Sequence, residues 1–131
     1  MRTNPLVLLV DDEDIFLEIA SVKLQAEGFE TIMTHDFRDA LEKAERLLPD
    51  VVLSDIYMPP GRNGWELALE LRRNPKTCDI KIAFFTSLRD PWAELREERK
   101  EVVQQLGKVT FLSKVDDVGV LANRVMALLH Q

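Results

Sequence analysis

Leu6-Val7-Leu8-Leu9-Val10-Asp11-Asp12-Glu13-Asp14 is an unbroken apolar run that ends in four consecutive acids. Five apolar residues with no polar alternation fit a strand covered on both faces, the kind found in parallel sheets. The same signature recurs down the chain. Val51-Val52-Leu53-Ser54 ends at Asp55, Ile80 to Phe85 ends at Thr86-Ser87, and Val109 to Leu112 ends at Ser113-Lys114. Phe29 to Thr34 is a weaker strand candidate.

Helix-period segments lie between these runs. Ile15, Ile19, Val22 and Ala26 recur at helical spacing, and Gly28 supplies a stop. Asp36 caps a predicted helix whose inward face is Ala40, Leu41, Ala44 and Leu48, with Pro49 as its end. Asn63 caps another that carries Trp65, Ala68, Leu69 and Leu71 and ends near Asn74-Pro75. The charged stretch from Asp90 to Leu106 reads as a helix closed by Gly107. Its opposite charges at helical spacing suit a solvated face. A last helix has Val118, Leu121, Val125 and Leu128 on one face. Strand and helix thus alternate five times. Right-handed crossovers then predict an α/β fold, a doubly wound five-stranded parallel sheet with helices on both faces. One domain over residues 1–131 is expected. The final helix runs to the C-terminus, so no output domain is expected.

Composition narrows the function. Hydrophobic residues make up 46% and charged residues 31%, which suits a soluble globular chain. The net charge is −6 and the pI about 4.9, which argues against a nucleic-acid partner because phosphate binding needs clustered Lys and Arg. The apolar runs are too short to cross a membrane, and the N-terminus has no cleavage site of the signal-peptide kind. Cys78 is the sole cysteine, so a cytoplasmic setting is expected.

In a doubly wound sheet, ligands bind beyond the carboxyl ends of the strands. Asp11, Asp12, Asp55, Thr86, Ser87 and Lys114 all fall there. Each has an ordinary structural role open to it. Asp11 and Asp12 could cap the first helix, Asp55 could be a loop acid, Thr86 or Ser87 a turn hydroxyl, and Lys114 a solvated cation. The set is what matters. Close carboxylates repel by about 4 kcal/mol per pair at an effective dielectric near 20. A divalent cation relieves that repulsion, and an all-oxygen, carboxylate-rich site suits Mg²⁺. A lysine and a hydroxyl at the same edge can hold the oxygens of a phosphoryl group.

Val10-Asp11-Asp12-Glu13, Ser54-Asp55-Ile56-Tyr57-Met58-Pro59, Phe85-Thr86-Ser87 and Phe111-Leu112-Ser113-Lys114 resemble the four signatures of receiver domains of bacterial two-component response regulators. The resemblance runs from Leu6 to the last helix, in the expected order. It implies the flavodoxin-like receiver fold and a phosphorylation-dependent signalling switch. Asp55 would accept a phosphoryl group from a histidine kinase or a histidine phosphotransfer protein. Asp11, Asp12, Asp55 and the backbone carbonyl of Tyr57 would hold Mg²⁺. Lys114 would pair with the phosphoryl oxygens, Thr86 would hydrogen-bond them, and Phe111 would change rotamer with the Thr86 loop. Mg²⁺-dependent self-dephosphorylation and a separate downstream effector protein are implied as well, without enzymatic turnover of another substrate.

Three features depart from the family pattern. The Met58–Gly64 loop is one residue longer than usual, Val115 replaces the usual proline after the lysine, and the stretch between Thr86 and Gly107 is extended. Two other readings compete. A degenerate receiver could serve as a constitutive docking module, but Asp12, Asp55, Thr86 and Lys114 are all in place. A phosphatase with an aspartyl nucleophile usually has a second Asp two positions on, where this chain has Tyr57. No P-loop motif occurs. His35 and His130 have no metal-ligand company in the sequence, and Trp65 and Trp92 read as packing residues.

Overall fold

The computed structural model describes residues 4–56, 64–86, 110–113 and 118–130; at Thr86, Ser113, Val118 and Gly119 it describes the backbone alone. The elements are β1 (Leu6–Val10), α1 (Asp14–Ala26), β2 (Glu30–Thr34), α2 (Phe37–Leu47), β3 (Val51–Asp55), α3 (Gly64–Arg73), β4 (Lys81–Thr86), β5 (Thr110–Ser113) and α4 (Val118–Leu129). The strands form one parallel sheet in the order β2-β1-β3-β4-β5. This is the doubly wound α/β fold expected from the alternation of runs.

The sheet divides the core in two, because successive side chains of a strand point to opposite faces. Leu8, Val10, Val52 and Phe84 meet Ala40 and Ala44 of α2 and Trp65, Leu67, Ala68 and Leu71 of α3. Val7, Leu9, Val51, Leu53 and Phe85 meet Leu17, Ala20 and Leu24 of α1 and Leu121, Val125 and Leu128 of α4. Every residue of β1 is buried, which explains why that run shows no alternation.

Helical spacing located α1, but the expected stripe is not the buried one. Leu17, Ala20, Ser21 and Leu24 face the sheet. Ile15, Ile19 and Val22 are 75%, 45% and 63% exposed. The helix carries two apolar stripes, and periodicity cannot choose between them. The buried stripe contains small residues that let the helix sit close to the sheet. Its hydroxyl is satisfied, with Ser21 Oγ 2.5 Å from Thr31 Oγ1 and accepting from Gln25 Nε2 at 3.2 Å.

α2 starts as expected, with the Asp36 carboxylate accepting from the Asp39 N–H at 2.7 Å. Its end corrects the sequence reading. Leu48 is not on the inward face; it is 48% exposed and leaves the helix in the left-handed region at φ 48°. Pro49 disfavours right-handed helical backbone at the residue before it. A β-carbon in this conformation costs about 1–2 kcal/mol, and glycine's extra chain entropy returns about 0.5–1. Leu48→Gly is therefore expected to stabilise the fold by about 0.5 kcal/mol, read as a higher urea midpoint. A lower midpoint would show that the Leu48 side chain contributes more than its backbone strain.

β4 begins one residue later than its apolar run and includes Thr86, and β5 includes Ser113, a common uncertainty at element ends. α3 ends at Arg73, just before Asn74-Pro75, as expected. The expected Asn63 cap and the Asp90–Leu106 helix, with Trp92 and Gly107, lie outside the described residues. Among the described residues, no helix is long and apolar enough to cross a membrane.

Candidate functional site

Parallel register assembles the site. Val10 pairs with Ser54, so Asp11 and Asp55 leave the sheet side by side at its carboxyl edge. The carboxylates of Asp11, Asp12 and Asp55 each offer an oxygen, and these lie within 4.8 Å of one another. Asp11 is fully buried, Asp55 half-buried and Asp12 exposed. The cluster thus runs from a buried acid to one in solvent at Asp12.

Backbone hydrogen bonds place the two inner acids. The Asp11 N–H donates to the Thr34 carbonyl at 3.1 Å, which ties the end of β1 to the end of β2. Asp11 Oδ1 accepts from the Glu13 N–H at 3.0 Å. Thr34 in turn donates its hydroxyl to Asp39 at 2.5 Å, and Lys43 reaches Asp39 at 2.8 Å. Lys43 and then Thr34 hold the Asp39 carboxyl below its usual range. Glu13, without a capping side-chain bond, occupies the N-cap of α1. Neither Asp11 nor Asp12 is therefore the N-cap residue of α1, although the Asp11 carboxylate accepts from the N–H of the residue that is.

Asp55 is held through its main chain. Its carboxylate accepts from the Ile56 N–H at 2.8 Å, and the Ser54 hydroxyl donates to its carbonyl at 2.8 Å. Gly64 opens α3 directly against it. The Gly64 N–H donates to the Ile56 carbonyl at 2.7 Å. A β-carbon on Gly64 would sit 2.3 Å from the Asp55 carbonyl oxygen. Only glycine lets the helix start this close to the acid. An Asn63 cap puts Gly64 first in the helix, but its contact with the Asp55 carbonyl is tertiary and no local pattern shows it.

The backbone of Thr86 ends β4, one step beyond the Asp55–Phe85 pair, and is in register with Ser113. Ser113 immediately precedes Lys114. Lys114, Tyr57, Ser87, the Met58–Asn63 loop and the Lys114–Val115 bond lie outside the described residues. Phe111 is half-buried beside the α2–α3 half of the core. Its ring centroid is 5.7 Å from Trp65 and 6.0 Å from Phe84, and those two are 4.4 Å apart. Trp65 is thus a packing residue, as read, and it packs on the expected switch aromatic. His35 is not alone: its Nε2 contacts Asp14 Oδ1. Thr34 pairs with Val10 in register, so the next residues of both strands share one edge.

The donor set fits Mg²⁺. That ion binds oxygen at about 2.0–2.1 Å in an octahedron, so opposite ligands lie about 4.2 Å apart. Carboxylate oxygens already within 4.8 Å need only small adjustments to reach such a shell.

The family model described as response regulator receiver domain matches residues 7–126. The chain belongs to this family. Its receiver neighbours include the response regulator PleD of Caulobacter vibrioides, 34% identical over 125 residues that take in 93% of this chain and 25% of PleD. The phosphate regulon transcriptional regulatory protein PhoB of Pseudomonas aeruginosa is 30% identical, over 95% of this chain and 52% of PhoB. The chain therefore spans between a quarter and about half of these curated relatives. Among solved structures, the chemotaxis response regulator CheY4 of Vibrio cholerae superposes with a TM-score of 0.81 at 28% identity, covering 96% of this chain and 99% of CheY4. A response regulator from Chloroflexus aurantiacus gives 0.83 at 26% identity, covering 98% and 100%. The receiver fold and family implied by the sequence signatures are thus borne out.

Proposed function

We propose that this receiver is a phosphorylation-dependent switch with Asp55 as its phosphoacceptor. The observation that carries the reading is the convergence of the Asp11, Asp12 and Asp55 carboxylates at the carboxyl edge of the sheet. A carboxylate oxygen of Asp55 would attack the phosphorus of a phosphohistidine on a histidine kinase or histidine phosphotransfer protein. The new bond is an acyl phosphate, and the bond from phosphorus to the imidazole nitrogen breaks. Asp11, Asp12 and Asp55, with the Tyr57 backbone carbonyl by family resemblance, would hold Mg²⁺. The ion supplies positive charge where the carboxylates and phosphoryl oxygens crowd together. Lys114 would meet the same oxygens from the end of β5, and water would later cleave the acyl phosphate. A cytoplasmic setting and a separate effector protein complete the reading. Phosphate uptake from a small phosphodonor should stop when EDTA removes the metal and return when Mg²⁺ is added in excess. Uptake that persists in EDTA would remove the metal from the reaction.

The switch would run through Thr86 and Phe111. A phosphoryl group brings charge and acceptor oxygens, and by family resemblance the Thr86 hydroxyl would move inward to meet them. Phe111 lies on β5, next to β4, with Trp65 and Phe84 around it. A shift of the β4 end would therefore be felt by that aromatic group. Thr86→Ala is expected to take up phosphate yet bind its effector equally in both states. Affinity capture with phosphorylated and unphosphorylated protein measures this. A partner preference equal to that of wild type would exclude Thr86 from the switch.

A further inference from the structure

β2 lies at the edge of the sheet, with β1 as its neighbour. An edge strand is held by one ladder in place of two. Its last residue, Thr34, is buried and makes two bonds of different kinds. The Thr34 carbonyl accepts from the Asp11 N–H at 3.1 Å, one residue past the end of β1. The Thr34 hydroxyl donates to Asp39 Oδ2 at 2.5 Å, in the first turn of α2. Lys43 Nζ meets the same carboxylate oxygen at 2.8 Å and also donates to the Met33 carbonyl at 3.3 Å. One turn of α2, from Asp39 to Lys43, is thus laced to the last two residues of β2. Lys43, and then Thr34, keep the Asp39 carboxyl ionised. A hydroxyl on a carboxylate is a charge-assisted bond, one of the stronger kinds. The contact of His35 with Asp14 also joins the end of β2 to the acids after β1. Those side chains are 60% and 76% exposed, so solvent screens that pair and leaves the Thr34 link as the main hold.

We propose that Asp39 is a positioning residue for the metal site. It holds the Thr34 hydroxyl, the Thr34 carbonyl holds the Asp11 main chain, and Asp11 is thereby kept where it can share an ion with Asp12 and Asp55. Thr34 is 1% exposed, so water is poorly placed to replace Asp39 as the partner of its hydroxyl. Without Asp39 the end of β2 loses its hold on the side away from β1, and the Asp11 N–H then rests on a looser acceptor. Groups that touch no ion still set metal affinity, because they orient the ligands. Loss of a group bonded directly to a ligand side chain typically costs about 10–100-fold. Asp39 acts through one more residue and through the main chain, so a smaller loss, about three- to tenfold, is expected for it. The inference rests on the reading of Asp11, Asp12 and Asp55 as holders of Mg²⁺.

The Mg²⁺ affinity of the full chain tests it, read without any phosphodonor from the rise of the urea midpoint with Mg²⁺ concentration. Thr34→Val and Asp39→Ala should each raise the dissociation constant about three- to tenfold. The double variant should be no worse than the more affected single one, because both substitutions cut one link. Thr34→Ser keeps the hydroxyl and should match wild type. Ser21→Ala removes a different hydroxyl contact to β2, the one to Thr31, and should leave Mg²⁺ affinity unchanged whatever it does to stability. Phosphoryl uptake by Asp39→Ala should need more Mg²⁺ to reach half its maximal rate, with the maximal rate retained. Circular dichroism checks folding, and Asp39→Ala, at a half-exposed position, decides the matter if Thr34→Val does not fold. Unchanged Mg²⁺ affinity in Asp39→Ala overturns the proposal. So do single effects that add in the double variant, or a loss in Ser21→Ala as large as in Asp39→Ala. A wild type that binds no Mg²⁺ overturns it together with the metal reading. A wild type that takes up no phosphoryl group, with the Mg²⁺ affinities as expected, sinks the phosphorylation reading and leaves this one standing.

Discussion

Asp55→Asn is expected to end phosphoryl uptake completely and leave a folded protein at least as stable as wild type without Mg²⁺. The amide keeps the shape of the carboxylate, and its Oδ1 can still accept from the Ile56 N–H. It lacks the nucleophilic oxygen charge that attack on phosphorus requires. It also removes one member of a cluster whose three carboxylates have oxygens within 4.8 Å of one another. Each close pair repels by about 3–4 kcal/mol at an effective dielectric near 20. Solvent at the exposed Asp12 reduces that figure, so a gain of about 1 kcal/mol without metal is the expected scale. Mg²⁺ should then stabilise the variant less than wild type, because a ligand that binds the folded state stabilises in proportion to its affinity. Urea unfolding with and without Mg²⁺ reads both effects. A variant that unfolds, or that loads phosphate at the normal rate, would contradict the role given to Asp55.

Gly64→Ala should be the most damaging small substitution near the site. Alanine in place of glycine ordinarily helps a helix by about 0.5–1 kcal/mol. Here the added β-carbon would lie 2.3 Å from the Asp55 carbonyl oxygen, and 3.2 Å from both the Asp55 carbonyl carbon and the Ile56 Cα. All three are backbone atoms, so no side-chain rotation relieves the overlap. Either the start of α3 backs away and breaks the Gly64–Ile56 hydrogen bond, or the Asp55 peptide moves with it. A loss of about 2–4 kcal/mol is expected, the upper range of overpacking. If Asp55 holds Mg²⁺ as proposed, Mg²⁺ affinity should fall too, because its carboxylate would be displaced. Denaturant unfolding and a Mg²⁺ titration give the two numbers. A neutral or stabilising effect with unchanged Mg²⁺ binding would mean that the approach of α3 to Asp55 is looser than the structure shows.

Much of this architecture was legible before any coordinates. The five-residue run of β1 announced its two-sided burial, and the acids after β1 and β3 announced the edge where they meet. Parallel pairing does the rest, because register turns strand ends far apart in sequence into neighbours. What stayed hidden depends on tertiary choice. α1 has apolar residues on two opposite sides, and only the fit of Ala20 and Ser21 against the sheet decides which is buried. Leu48 continues the helical period, yet the chain reverses there before Pro49. His35, just after β2, meets Asp14 at the start of α1, which no local pattern encodes. The aromatic group of Trp65, Phe84 and Phe111 needs both the β4–β5 register and the approach of α3.

The most direct test is to find where the phosphoryl group goes. The full chain is incubated with Mg²⁺ and a small acyl phosphate. Any acyl phosphate formed is then reduced with borohydride, which converts the modified side chain to an alcohol, and the peptides are mapped by mass. The expected result is a single modified position, Asp55. A chain that takes up no phosphoryl group, or that carries it on Asp11, Asp12 or any residue other than Asp55, would contradict the central claim.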